Sequence, residues 1–476
     1  MPPSSEPSPW WKSTGPLLAL LVHAVYFLVL CPLHFSTEEW GRIRDRVRDV
    51  SSTSQWTSSI MQERGYWGLV IWYFDIHEEV DLYHRYAQLA LRGVDVTQPA
   101  AAPAQGRLAP YRDVPVEYQP GALLFLLPPA LFASSGDGYL HGFVIWCFVL
   151  YLAALLAGMH AAGGGPPTAA EAGRTLWWSV RFLFYFGGIV SARFDHAVAA
   201  VCVAGLWLFG RALRRPEAPG AFAAFGALAA AGVMVKIVPG VLIPAGVLCL
   251  LCGERRWRAA LAVLGGFAVT LTVLHAAFAA CWGQGYLQSY TYHMARGIQM
   301  ESTYAGILMA LHGAGHPLAV VKSFGSYNLM TSHARWLLPL APVLLLALAG
   351  AVAWRFWRRK DARETSASPF ALLMLTITLL LGFVLTNKVF SPQYLLWLAP
   401  LFAVACGRSE ALEWPGLLFL LAAGLTQVMF PHLYRLVEAM DPLMIVVLNL
   451  RNLTLAVAFA WLLWKLPRIL REGLGR

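Results

Sequence analysis

Four carboxylates crowd one short stretch of this chain, Y-F-D-I-H-E-E-V-D-L-Y-H-R-Y-A, which runs from Tyr73 to Ala87: Asp75, Glu78, Glu79 and Asp81. Asp75, Glu78 and Glu79 have i, i+3, i+4 spacing and would share one helix face. Crowded carboxylates raise one another's pKa unless a cation neutralises them. The trio is therefore either a solvated acidic face or a weak divalent-cation site. Asp81 opens a stretch in which Leu82, Tyr86, Leu89 and Ala90 recur at helical spacing. It can cap that helix against the helix dipole. It can also act as a general base, taking a proton from an attacking hydroxyl.

Other polar residues interrupt apolar sequence. P-Y-R-D-V-P-V-E-Y-Q-P-G-A-L, Pro110–Leu123, has prolines that dictate an extended or turning path, with Arg112, Asp113, Glu117 and Tyr118 arrayed along it. Such a path is a loop stitched by ion pairs, or a grip on a hydroxyl-rich ligand. R-F-D, Arg193–Asp195, sits in apolar surroundings, where the charges pair with each other or with Lys236, or serve function. Lys236 lies beside a Pro-marked turn, placed either to snorkel or to meet a phosphate as a point charge. Y-H-M-A-R-G-I-Q-M-E-S, Tyr292–Ser302, supplies His293, Arg296 and Glu301; the His and Arg suit a phosphate clamp or a solvated interfacial helix. N-K-V-F-S-P-Q-Y-L-L-W-L, Asn387–Leu398, opens a helix with Ser391 and Pro392 and leaves Lys388 and Gln393 unexplained by capping alone.

The elements that must position these residues are membrane helices. The 476 residues are 58% hydrophobic and only 13% charged, about half the charge of a soluble domain, and the mean hydropathy is +0.56. About thirteen apolar segments follow one another from residue 16 to 464. The net charge of +10 does not point to nucleic acid. Its clusters, Arg211–Arg215, Arg255–Arg258, Arg355–Lys360 and Lys465–Arg471, sit in short loops and read as cytoplasmic. The seven cysteines fall in or beside apolar segments and read as packing residues. Leu17–Leu33 lacks a small-residue cleavage site and reads as a retained first helix after a cytoplasmic tail, 1–15. Residues 16–465 then form one transmembrane domain, with 466–476 a cytoplasmic tail. The loops 35–120 and 282–335 lie outside. For the basic loops to share one side, one early segment must fail to cross. Residues 121–134, short and broken by Pro128–Pro129, are the best candidate, leaving about twelve crossings. An all-α protein with a one-sided polar chamber suits an enzyme acting at the interface. A transporter would place such residues near the midplane.

Several motifs agree in order. D-x-x-L-Y-x-x-Y-A-x-x-L-x-x-G is approached by Asp81, Tyr83, Tyr86, Ala87 and Gly93; P-Y-R-D-x-x-V-E-Y-P-P-G-A-L by Pro110–Asp113 and Val116–Leu123. Arg193–Asp195, K-x-x-P at Lys236–Pro239, Tyr292–Ser302, Lys388–Leu398 and the closing Arg451–Asn452 complete the set. With these the chain resembles glycosyltransferase family 87, in the GT-C superfamily of polytopic transferases. Gln119 departs from the usual proline, and Val94–Ala109 is an insertion. The resemblance implies transfer of a sugar, often mannose, from a polyprenyl-phosphate-linked donor to a lipid or glycan acceptor on the outer face of a bacterial plasma membrane, by an inverting mechanism. Asp81 would be the base. Lys236, His293, Arg296 and Lys388 would meet the donor phosphate. Tyr83, Arg112, Glu117, Tyr118, Arg193, Asp195, Glu301 and Gln393 would contact substrate. No cofactor is required, and a divalent cation on Asp75, Glu78 and Glu79 is the weaker option. No phosphate loop for a nucleotide is present in the sequence, which favours a lipid donor. The rival reading is a flippase or transporter of lipid-linked sugars.

Overall fold

The computed structural model describes residues 9–47, 53–75, 78–97, 107–133, 135–252, 256–358 and 367–472. The helices, in chain order, are α1 (Thr14–Val25), α2 (Thr37–Arg46), α3 (Thr53–Phe74), α4 (Glu78–Arg92), α5 (Leu123–Phe132), α6 (Gly136–Gly163), α7 (Ala169–Phe186), α8 (His196–Leu213), α9 (Pro219–Val235), α10 (Leu242–Leu251), α11 (Trp257–Trp282), α12 (Gln288–Ala295), α13 (Thr303–His312), α14 (Ala334–Trp357), α15 (Pro369–Thr386), α16 (Tyr394–Arg408), α17 (Glu413–Met429), α18 (Tyr434–Glu438) and α19 (Pro442–Glu472). Many starts are written in the side chains. Ser36 with Glu39, and Thr168 with Glu171, form reciprocal capping boxes at α2 and α7. Ser135, Ser302 and Ser368 each accept from a backbone N–H in the first turn of α6, α13 and α15.

Among the described residues seven helices are long and apolar enough to cross a bilayer, and the other apolar helices have 10–17 residues. The expected total of about twelve crossings would draw on these shorter helices, which include α9, α10 and α16. α19 runs past residue 465 to Glu472. α15 is buried along nearly its whole length at the centre of the bundle. α11 and α14 instead turn Val269 and Leu346 outward, 64% and 72% exposed, as lipid-facing helices do. α5 is ten residues long, about 15 Å at 1.5 Å per residue, half a hydrocarbon core. It folds back along the first half of α6: Trp146 Nε1 donates to the Phe125 carbonyl at 3.0 Å and the Tyr139 hydroxyl to that of Leu126 at 2.9 Å.

Helix ends alternate between two sets. At one end Arg408 pairs with Glu171 at 3.3 Å, Arg174 donates to the Gly407 carbonyl and Arg355 to those of Leu463 and Trp464. Arg174 thus caps the C-terminus of α16, where the dipole is negative, and Arg355 meets carbonyls inside α19 next to the break in its ladder at Pro467. At the other end lie Arg193–Asp195, Lys236, Asn387–Gln393 and Phe430–His432, together with the stretch from Gly283 to His333. That stretch departs from the all-α expectation. It carries a three-stranded antiparallel sheet, β1 (Ile298–Gln299), β2 (Ala319–Ser323) and β3 (Ser326–Met330), in the order β1-β3-β2. Phe324 and Gly325 both have positive φ, 52° and 62°, as a two-residue hairpin turn matched to strand twist requires.

α9 and α11 approach most closely through glycine. A β-carbon on Gly226 would lie 2.0 Å from the Val263 carbonyl oxygen, and one on Gly266 would lie 2.1 Å from that of Ala223. Neither backbone can yield, so Gly226→Leu should force the helices apart. The expected outcome is a loss of about 1–3 kcal/mol or more, read as a lower melting midpoint in detergent, whereas Gly265→Leu, whose β-carbon meets nothing within 4 Å, should leave the midpoint near wild type.

Candidate active site

The connecting segments at the second end enclose a cavity of about 740 Å³, within the usual range for small-molecule sites. It is lined by Glu79 from the start of α4, Glu117 and Tyr118 from the Pro-rich turn, and Arg193 from the segment before α8. Lys236 comes from the end of α9, His293 from α12, Arg296 and Glu301 from around β1, and Gln393 from the start of α16. Of the anticipated residues, these nine share one chamber, and Asp75 lines it as well.

Lys236 is held from behind. Its Nζ donates to Asp195 Oδ1 at 2.6 Å and lies 5.0 Å from the centre of the Phe194 ring and 5.3 Å from that of Trp397. Trp397 Nε1 donates to the same carboxylate oxygen, and Tyr394 stacks on Trp397 at 4.1 Å. Asp195 and three aromatic rings thus stabilise an ammonium on the chamber wall by charge and cation–π attraction. Asp195 itself does not line the chamber. Arg193 is buried and forms an ion pair with Glu79. Arg296 Nη2 donates to Ser326 Oγ at 2.8 Å, while its Nε and that of Arg193 are buried and have no hydrogen-bond partner among the described residues.

Other anticipated residues lie elsewhere. Asp81 is exposed and does not line the cavity; it also makes other interactions. Two residues along a helix rotate a side chain by about 200°, so Glu79 and Asp81 face opposite ways. The motif register agrees: counted back from Leu82-Tyr83, the D-x-x-L-Y spacing reaches position 79, which is Glu79. Lys388 is off the wall. Its Nζ donates to the carbonyls of Met294 and Arg296 at 2.7 and 2.6 Å, closing the end of α12 and fixing the backbone that carries Arg296. Arg112 is exposed and pairs with Asp113 at 3.0 Å. Tyr83 is buried behind the wall, edge-on to Tyr118 at 5.8 Å. Two members of the weak metal trio, Asp75 and Glu79, line the chamber with separate partners. Asp75 accepts from Phe35 N and Trp40 Nε1 at 2.8 and 2.9 Å, Glu79 turns to Arg193, and the Glu78 side chain lies outside the described residues.

Burial opposes ionisation of Glu79, but Arg193, with Lys236 and Arg296 nearby, more than offsets it and holds the carboxyl below the usual carboxylate range. Burial, then Arg296 and Lys236, lower His293 to about 4, so it stands neutral beside these cations. Burial pushes Glu301 up to about 7 against the opposing pull of Arg451. Its carboxylate accepts from Gln299 Nε2 at 2.8 Å and the Tyr434 hydroxyl at 3.4 Å, and its carbonyl from Arg451 at 2.6 Å. A carboxyl with a raised folded pKa favours the native state at low pH. That contribution fades as pH rises from about 4.5 through about 7. Glu301→Gln should therefore match wild type in acid and gain thermal stability relative to it above neutrality, in melting midpoints measured across pH.

The residues that sequence reasoning missed are mostly aromatic. Trp40, Trp56, Trp72 and Tyr394 line the chamber, and Trp397 backs it. The three tryptophans of the lining carry no spacing signal, because aromatic residues pervade the apolar helices; Tyr394 and Trp397 fall inside the segment Asn387–Leu398, which was singled out for Lys388 and Gln393 instead.

The fold and site define an integral membrane protein whose helices hold a charged, aromatic-walled chamber at one end. Residues 117–381 match glycosyltransferase family 87, over half of the chain, and the protein belongs to that family. Membership brings transferase activity between a sugar donor and an acceptor. No curated protein and no solved structure matches the chain.

Proposed function

We propose that the protein moves a hexose, mannose in the first instance, from a polyprenyl-phosphate carrier to an acceptor hydroxyl on the outer face of a bacterial inner membrane, with inversion at the anomeric carbon. The observation that carries this reading is one carboxylate, Glu79, sharing a chamber wall with three cations, Arg193, Lys236 and Arg296. An anion is favoured there by charge, and the Lys236 ammonium and the Arg296 guanidinium on that wall are charged hydrogen-bond donors.

In this reading the acceptor oxygen attacks the anomeric carbon as the bond to the carrier phosphate breaks. The acceptor proton passes to Glu79, which is ionised at neutral pH and turned inward where Asp81 is not. Lys236 and Arg296 hold the departing phosphate, with neutral His293 as a hydrogen-bond partner. Neutralisation is assigned to these side chains rather than to a metal. Asp195 and Lys388 are positioning residues, the first for Lys236 and the second for Arg296.

The test is incubation of purified protein with a panel of polyprenyl-phospho-sugars and acceptors, followed by mass spectrometry. A new glycosidic bond with inverted configuration is expected. Movement of the intact lipid-linked sugar across a vesicle membrane without a new bond would establish the flippase reading instead.

A further inference from the structure

The chamber has a second wall that the transfer step leaves unused. α2 and α3 form a hairpin held by charge: Arg42 and Arg46 pair with Glu63 at 2.6 and 2.8 Å, and Arg64 with Glu39 at 2.5 Å. The hairpin brings Trp40, Trp56 and Trp72 onto the chamber. Trp40 and Trp56 meet edge to face at 6.1 Å, and Trp72 lies 4.3 Å from the His432 ring. Asp75 fixes the Trp40 indole through Nε1. All three indoles are half-buried, so each keeps part of its surface toward open space. Arg44 and Arg435, which also line the chamber, add guanidinium groups beside them.

Indole faces interleaved with carboxylates and guanidinia fit one chemistry. A pyranose offers C–H faces to stack on aromatic rings and an equator of hydroxyls for charged groups. A simple alkyl alcohol would cover the rings but leave the polar groups beside them unmatched. Asp75, which accepts from Trp40, and Glu79 both line the chamber, so the tryptophan wall and the inward carboxylate face the same space. Resting on the transferase reading above, we propose that the tryptophan wall is the acceptor subsite and that the acceptor is a carbohydrate, its terminal ring stacked on Trp56 and Trp72 with one hydroxyl directed to Glu79.

The test reads binding without donor, which separates it from the transfer assay: failure of transfer would count against the reaction, failure of binding against this subsite. Protein in lipid nanodiscs is titrated with a manno-oligosaccharide, a gluco-oligosaccharide and the same glycans on a lipid anchor, followed by intrinsic tryptophan fluorescence and calorimetry. At least one glycan should bind. Trp56→Leu and Trp72→Leu should weaken it at least tenfold while affinity for a polyprenyl-phospho-sugar stays near wild type, which separates lost stacking from the packing each indole also gives the hairpin. Arg44→Gln, a milder change, should weaken it less. Binding of the soluble glycan would place recognition in the sugar alone, and binding of the anchored form only would add a lipid contact to the same subsite. The proposal is overturned if no glycan binds, if the tryptophan variants bind as wild type does, or if a long-chain alcohol competes equally well.

Discussion

Glu79→Gln should reduce transfer by a thousandfold or more, whereas Asp81→Asn should retain activity within about a few-fold of wild type. General-base catalysis alone contributes about 10²–10⁴, and Gln preserves volume while removing the proton acceptor. The choice between the two carboxylates follows from α4. Glu79 stands in its first turn, pairs with Arg193 and lines the chamber; Asp81 is exposed on another face. Both variants should be compared at saturating donor and acceptor, so that the loss is seen in kcat rather than in either KM. Glu79→Gln also leaves Arg193 buried without its partner, a structural cost that melting curves will register. Glu79→Asp separates the effects: it keeps the charge and so the pairing, and should restore stability fully and activity only in part. Wild-type turnover in Glu79→Gln together with an inactive Asp81→Asn would return the base to Asp81.

Much of this architecture was legible from apolar runs and basic loops, because lipid solvation makes both obligatory. Short α5 was legible too, from its length and its two prolines. The hairpin Ala319–Met330 was not anticipated, although V-V-K-S-F-G-S-Y-N carries alternation around a turn; in a chain of helices the period-2 signal is easily outweighed. At the site, charged residues stood out against apolar sequence, so Lys236, Arg193, His293 and Arg296 could be singled out one by one. What the sequence could not supply was direction. Asp81 and Glu79 differ by two positions and opposite helix faces, and Lys388 is a cation like Lys236 whose hydrogen bonds happen to point at carbonyls. Pairing of Asp195 with Lys236 was one reading the sequence offered, beside pairing with Arg193; the choice of Lys236, 41 positions further on and in contact at 2.6 Å, belongs to tertiary structure.

That contact makes Lys236→Met the most informative cation variant. Removing the ammonium strands a buried carboxylate, and breaking one side of a buried pair costs about 3–5 kcal/mol. Removing it also deletes a charged hydrogen-bond donor to the carrier phosphate, worth about 1.5–3 kcal/mol, or roughly ten- to a hundredfold in donor affinity. The two losses can be pulled apart by adding Asp195→Asn, which removes the stranded charge while Trp397 Nε1 can still donate to the amide oxygen. The double variant should therefore recover most of the melting midpoint and none of the donor affinity. If donor affinity returns along with stability, Lys236 acts only through the fold, and the phosphate is held by Arg296 and Arg193. If neither returns, Asp195 does more than hold Lys236, and the carboxylate's remaining buried oxygen, which has no hydrogen-bond partner among the described residues, becomes the place to look for the substrate contact first expected of it.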